Sequence, residues 1–125
     1  MESMENNTSE ETTYIGKKLD FPKSRASLGF FGSYNHQEAS KLMQGFLPQD
    51  MDDKWYIYYE NGWLYFLRSW SGATIFALCL GGTSDGVRVI DSWVNREPDQ
   101  FNSQDTSDDR RLLSDIIDFY FLGRE

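Results

Sequence analysis

The densest group of chemically capable residues in this chain is Arg68-Ser69-Trp70-Ser71-Gly72. A guanidinium offers a planar fork to a phosphate or carboxylate, and the Ser69 and Ser71 hydroxyls and the Gly72 amide would add donors beside it. The same arginine stacked on Trp55 or Trp70 would be a structural cation–π contact, so both roles stay open. Trp93, Asn95 and Arg96 form a second group of similar chemistry. Arg68, Ser69, Trp70, Trp93, Asn95 and Arg96 are therefore the candidate ligand-binding residues.

Signals for catalysis are weaker. One histidine, His36, and one cysteine, Cys79, are too few for a zinc site. The acids of 97–118 lack the ligand alternation and glycine of a calcium loop. Gly81-Gly82-Thr83-Ser84-Asp85-Gly86 lacks the Gly-Lys-Ser/Thr ending of a phosphate loop and reads as a plain hairpin connection. Cys79 sits in an apolar run without a basic neighbour and reads as a small buried hydrophobe. A general base would have to be Glu60, Asp85 or Asp91, none with a local partner to tune it. No catalytic residue, metal or cofactor is assigned, and an enzyme is the least favoured reading.

These residues have to be positioned by a β-hairpin. Trp55–Tyr59 and Trp63–Trp70 are aromatic and β-branched, and Asn61-Gly62 is the preferred pair for a type I′ turn. A two-residue turn fixes the register: Glu60 opposite Trp63, Tyr59 opposite Leu64, Tyr58 opposite Tyr65, Ile57 opposite Phe66, and Trp55 opposite Arg68. One face then carries Trp55, Ile57, Tyr59, Leu64, Phe66, Arg68 and Trp70. The other carries Lys54, Tyr56, Tyr58, Glu60, Trp63, Tyr65, Leu67 and Ser69, which is too aromatic for an ordinary solvated face. Residues 14–34 could cover it, a protein partner could use Tyr56, Tyr58, Trp63 and Tyr65 as an interaction face, or a planar ligand could stack on it.

Further strands are expected over 73–80 and 87–95. Asn35 and Glu38 form a capping box before an apolar stripe of Ala39, Leu42, Met43 and Phe46, stopped by Pro48. Asp105 or Ser107 caps a second helix, with Asp108 and Asp109 at its positive end and Leu112, Leu113, Ile116, Ile117, Tyr120 and Phe121 on one face, closed by Gly123. Gly29 and Gly32 bracket a Phe30-Phe31 plug. The expected fold class is α+β: an antiparallel meander of about four strands, an N-terminal-side helix, and a C-terminal helix packed on the sheet.

The 125 residues suit a single domain, with 14–125 folded and 1–13 a disordered acidic tail. Aromatics at 16% can supply a core. No apolar run is long enough for a membrane span, and the N-terminus has no signal-peptide pattern, so a cytoplasmic protein is expected. A net charge of −8 argues against nucleic acid and suits either solubility or a basic protein partner.

Residues 54–72, followed by Trp93-Val94-Asn95-Arg96, resemble a little-characterised bacterial domain. Its hairpin reads W-x-I/F-Y-x-E-x-G-x-L-Y-F-x-R-S-W-T-G and is followed by W-V-N-R. The likeness spans roughly residues 52–122. Such domains occur alone and beside ADP-ribosylglycohydrolase-type or macrodomain proteins, which implies a role around ADP-ribose- or NAD-like nucleotides. This chain has Leu67 where that pattern commonly has His, so a proton-transfer role for that position is absent. The leading expectation is a small binding or accessory domain for a nucleotide-like molecule. The alternatives are an immunity-type or regulatory protein that binds a basic partner, or an enzyme without a recognisable motif.

Overall fold

Asn61 and Gly62 both adopt positive φ, 53° and 89°, as a type I′ turn requires. They join β3 (Trp55–Glu60) to β4 (Trp63–Arg68). The pairing runs from Glu60 opposite Trp63 to Trp55 opposite Arg68, as the turn length dictates. β5 (Thr74–Gly82) and β6 (Gly86–Asn95) extend the meander. The structure is a computed structural model that describes residues 18–123. The segment 1–13, expected to be a disordered tail, and residues 14–17 lie outside the described residues.

Among the described residues the sheet has six strands where about four were expected. The additional two are three-residue strands, β1 (Arg25–Ser27) and β2 (Ser33–Asn35), and both pair with β6. β6 is ten residues long, so one edge can hold both. Between them the chain bows outward, and Ser92 holds the bow: its carbonyl accepts from Leu28 N–H and its hydroxyl from Phe30 N–H. Strands this short carry no readable alternation. Of the expected plug only Phe30 is buried, while Phe31 is 85% exposed.

Asn35 leads directly from β2 into α1 (His36–Gln44), with both bonds of the capping box formed: Glu38 N–H to Asn35 Oδ1, 2.8 Å, and Asn35 N–H to Glu38 Oε1, 2.9 Å. The helix ends at Gly45, earlier than Pro48. Gly45 has φ +72°, and a Cβ there would lie 2.2 Å from the Ile57 carbonyl oxygen. Phe46 therefore leaves the helical stripe and bridges β3, donating to and accepting from the Ile57 backbone at 2.8 and 2.9 Å. This covers part of an otherwise open edge strand.

Asp105 caps α2 (Thr106–Ile117) by accepting from Ser107 and Asp108 N–H. A π-helical turn, Asp118–Leu122, follows and stops at Gly123 with φ +69°. The core lies between the helices and one sheet face, where Ile57, Leu64, Phe66, Phe76, Leu78 and Val94 meet Ala39, Leu42, Leu113, Ile116, Ile117 and Phe121. Each such large side chain contributes about 1.5–3 kcal/mol by leaving water. The architecture is α+β with an antiparallel sheet. Among the described residues no helix is long and apolar enough to cross a membrane.

Candidate functional site

The start of β3, the end of β4, the start of β5 and the end of β6 all fall at one end of the sheet, as a meander demands. There the β4–β5 connection is pulled tight: Gly72 N–H donates to Arg68 O, Arg68 N–H donates to Ala73 O, and Gly72 takes φ +77°. The connection is tied to the loop that leads into β3. Ser69 N–H reaches Lys54 O, Ser69 Oγ–H reaches Asp53 O at 2.7 Å, and Trp70 Nε1–H reaches Met51 O at 3.3 Å. Trp70 is thereby held in place while 61% of its surface faces solvent.

Opposite it stands the loop after β6. Phe101 anchors this loop by packing edge-on against Phe76 at 5.8 Å. Between the two walls is a cleft of about 630 Å³, lined by Met51, Asp52, Lys54, Arg68, Trp70 and Ser71 on one side and residues 98–102 on the other.

Arg68 is the distinctive group in this cleft. Its guanidinium lies 4.8 Å from the Trp55 ring centroid, and its buried Nε has no hydrogen-bond partner. Neither Arg68 nor Lys54 is in an ion pair among the described residues. Burial pushes the Arg68 pKa below the usual arginine value, although a guanidinium stays charged in proteins. A half-buried guanidinium that lines a cleft can hold an anionic oxygen there. Asp52 and Asp99 in the same lining would discriminate against anions placed near them.

The six candidate residues divide. Arg68 and Trp70 line the cleft. Ser69 is fully buried with its hydroxyl turned to Asp53. Asn95, also fully buried, donates to Thr74 O and Gln100 Oε1 and accepts from Glu97 N–H, so it shapes the far wall from behind. Arg96 is paired with the buried Asp109 at 2.6 Å and donates to Ser103 O, while Ser103 Oγ–H donates to Asp109 at 2.6 Å. Asp109, in the first turn of α2 as expected, also turns inward to fix the loop. Trp93 is on the opposite sheet face.

Sequence reasoning missed Lys54 and residues 98–102 as lining. The only signal for the loop was topological, since it follows the strand that ends beside Arg68. Glu60, Asp85 and Asp91 are exposed and do not line the cleft. Among the described residues no three metal-ligating side chains gather.

The opposite face carries the aromatic array. Tyr56 and Tyr58 are 5.4 Å apart, Tyr58 and Tyr65 5.2 Å, and Trp63 and Tyr65 6.4 Å. All four are half-buried. The described part of the expected cover crosses them: Lys18 Nζ lies 4.1 Å from the Tyr58 centroid, and Phe21 stacks on Tyr65 at 5.0 Å and meets Trp93 edge-on at 5.9 Å. Arg25 lies 4.9 Å over Trp93. Cys79, half-buried between this face and Asp91, has its thiol pushed up by burial and by that carboxylate.

Compared with known proteins, the chain matches no family model, no curated protein and no solved structure.

Proposed function

We propose that this protein is a small binding module whose cleft takes an anionic, nucleotide-like molecule, of the ADP-ribose or NAD class. The observation that carries the reading is Arg68: a half-buried cation that lines a cleft, rests on the Trp55 ring and is in no ion pair among the described residues. In that arrangement the fork would hold a phosphate oxygen, Lys54 would add a second positive charge, and the fixed, exposed Trp70 ring would stack on the planar group. The likeness of the hairpin to domains found beside ADP-ribose enzymes supplies the class of probe. The activity proposed is recognition.

The test is nuclear magnetic resonance titration of the full chain with ADP-ribose, NAD and AMP. The expected result is saturable shifts confined to Arg68, Trp70, Ser71 and Gln100–Asn102. Shifts spread thinly over the surface, or none at millimolar ligand, would overturn the reading.

A further inference from the structure

Four charged side chains line the cleft, two of each sign: Lys54 and Arg68, Asp52 and Asp99. None of them is in an ion pair among the described residues. A cleft for an anion alone gains nothing from two carboxylates, which repel phosphate. Trp70 gives them a use. Its ring is 61% exposed and lines the same cleft, and an indole face attracts cations more strongly than any other aromatic side chain. Among the described residues, Lys18, Arg25 and Arg68 sit over Tyr58, Trp93 and Trp55, and no cation lies over Trp70. Asp52 directly follows Met51, whose carbonyl oxygen holds the Trp70 indole N–H at 3.3 Å. Asp99 enters from the opposite wall.

We propose that the group stacked on Trp70 is a planar cation, so that the cleft prefers oxidised NAD to its reduced form and to ADP-ribose. This rests on the nucleotide reading of the cleft and selects one member of that class. The diphosphate faces Arg68 and Lys54, and the pyridinium ring lies on Trp70 with Asp52 and Asp99 supplying the negative charge around it. A ligand that carries both signs uses all four charged side chains. ADP-ribose has the same diphosphate but leaves both carboxylates without a positive charge to face. Reduced NAD keeps the second ring and makes it neutral, which isolates the effect of charge.

The probes are oxidised NAD, reduced NAD and ADP-ribose, each titrated by calorimetry into the full native chain. Asp52→Asn and Asp99→Asn remove one cleft carboxylate at a time, each checked for fold by circular dichroism. Glu60→Gln makes the same change in net charge at an exposed acid outside the cleft. The expected result is that oxidised NAD binds the native chain about fivefold more tightly than either other probe, the scale of one exposed cation–π contact with weak ion pairs. At least one folded cleft variant should narrow that preference to about twofold, the scale left by the ring alone. Glu60→Gln should leave it unchanged.

Equal affinity for all three probes, or tighter binding of reduced NAD or ADP-ribose, would overturn this proposal and leave the reading of the cleft standing. So would a preference that Glu60→Gln narrows as much as the cleft variants do, since net charge alone would then explain it. No binding of any probe to the folded native chain at millimolar concentration would overturn both.

Discussion

Arg68 and Arg96 stand at the same end of the sheet with opposite fates. Arg96 is paired with the buried Asp109 at 2.6 Å, whereas Arg68 rests on the Trp55 ring and is in no ion pair among the described residues. Desolvating a cation is costly unless it is paired and hydrogen-bonded. Arg96 meets that requirement and organises the cleft wall. Arg68 meets it only in part, and the proposed binding role rests on that difference.

Replacing Arg68 should therefore leave stability nearly unchanged. Arg68→Leu loses a cation–π contact of about 0.5–2 kcal/mol and removes a buried donor whose missing partner costs about 1–3 kcal/mol. The net change by urea denaturation is expected within about 1 kcal/mol of zero. A loss above about 3 kcal/mol would make Arg68 a structural residue.

Arg96→Ala should behave differently. It leaves Asp109, 1% exposed, without its cation. Breaking a buried pair from one side costs about 3–5 kcal/mol. Denaturation midpoints should fall accordingly, and ligand binding should weaken through the loosened 98–102 wall. A variant as stable as the native chain would contradict the scaffold role.

Gly45→Ala tests the edge of the sheet. The added Cβ would press on the Ile57 carbonyl at 2.2 Å in a backbone held at φ +72°. Left-handed strain of about 1–3 kcal/mol and overpacking of similar size should combine to destabilise the fold. Losing the Phe46–Ile57 bridge also bares the β3 edge, so light scattering should report faster aggregation on warming. A soluble, equally stable variant would contradict this.

The segment over the aromatic face carries a pH dependence through Lys18. The closeness of Tyr58 raises the Lys18 pKa above the usual lysine value, with burial opposing it. A raised folded pKa means the contact contributes in full below the unfolded value and is lost as pH climbs through the folded one. Phe21 ring resonances should thus be constant across neutral pH and move only in strongly alkaline solution, beyond about pH 10. Lys18→Met should remove the part of that movement due to Lys18 and leave the part due to Tyr65, on which Phe21 stacks. A transition near neutrality would contradict it.

The hairpin was legible because its information is local. Asn61-Gly62 fixes the turn, the turn fixes the register, and the alternation of Tyr56, Tyr58, Trp63 and Tyr65 announces a second apolar face. The capping box at Asn35 and Glu38 was legible for the same reason. What was hidden is long-range. β1 and β2 exist only because β6 offers them an edge, and Phe46 leaves its helix because Ile57 has free backbone groups. Arg96 and Asp109 look like any exposed charges until the loop between them folds back. Arg68 could be singled out from its neighbours, but its lack of an acid is a fact of packing that no spacing reveals.

The most direct test of the binding role is calorimetric titration of ADP-ribose and NAD into the native chain and into Arg68→Leu. The expected result is saturable binding to the native protein, weakened at least about tenfold in the variant, as loss of a charge-assisted hydrogen bond of about 1.5–3 kcal/mol demands. Equal binding by both proteins, or a flat titration of the folded native chain at millimolar ligand, would contradict it.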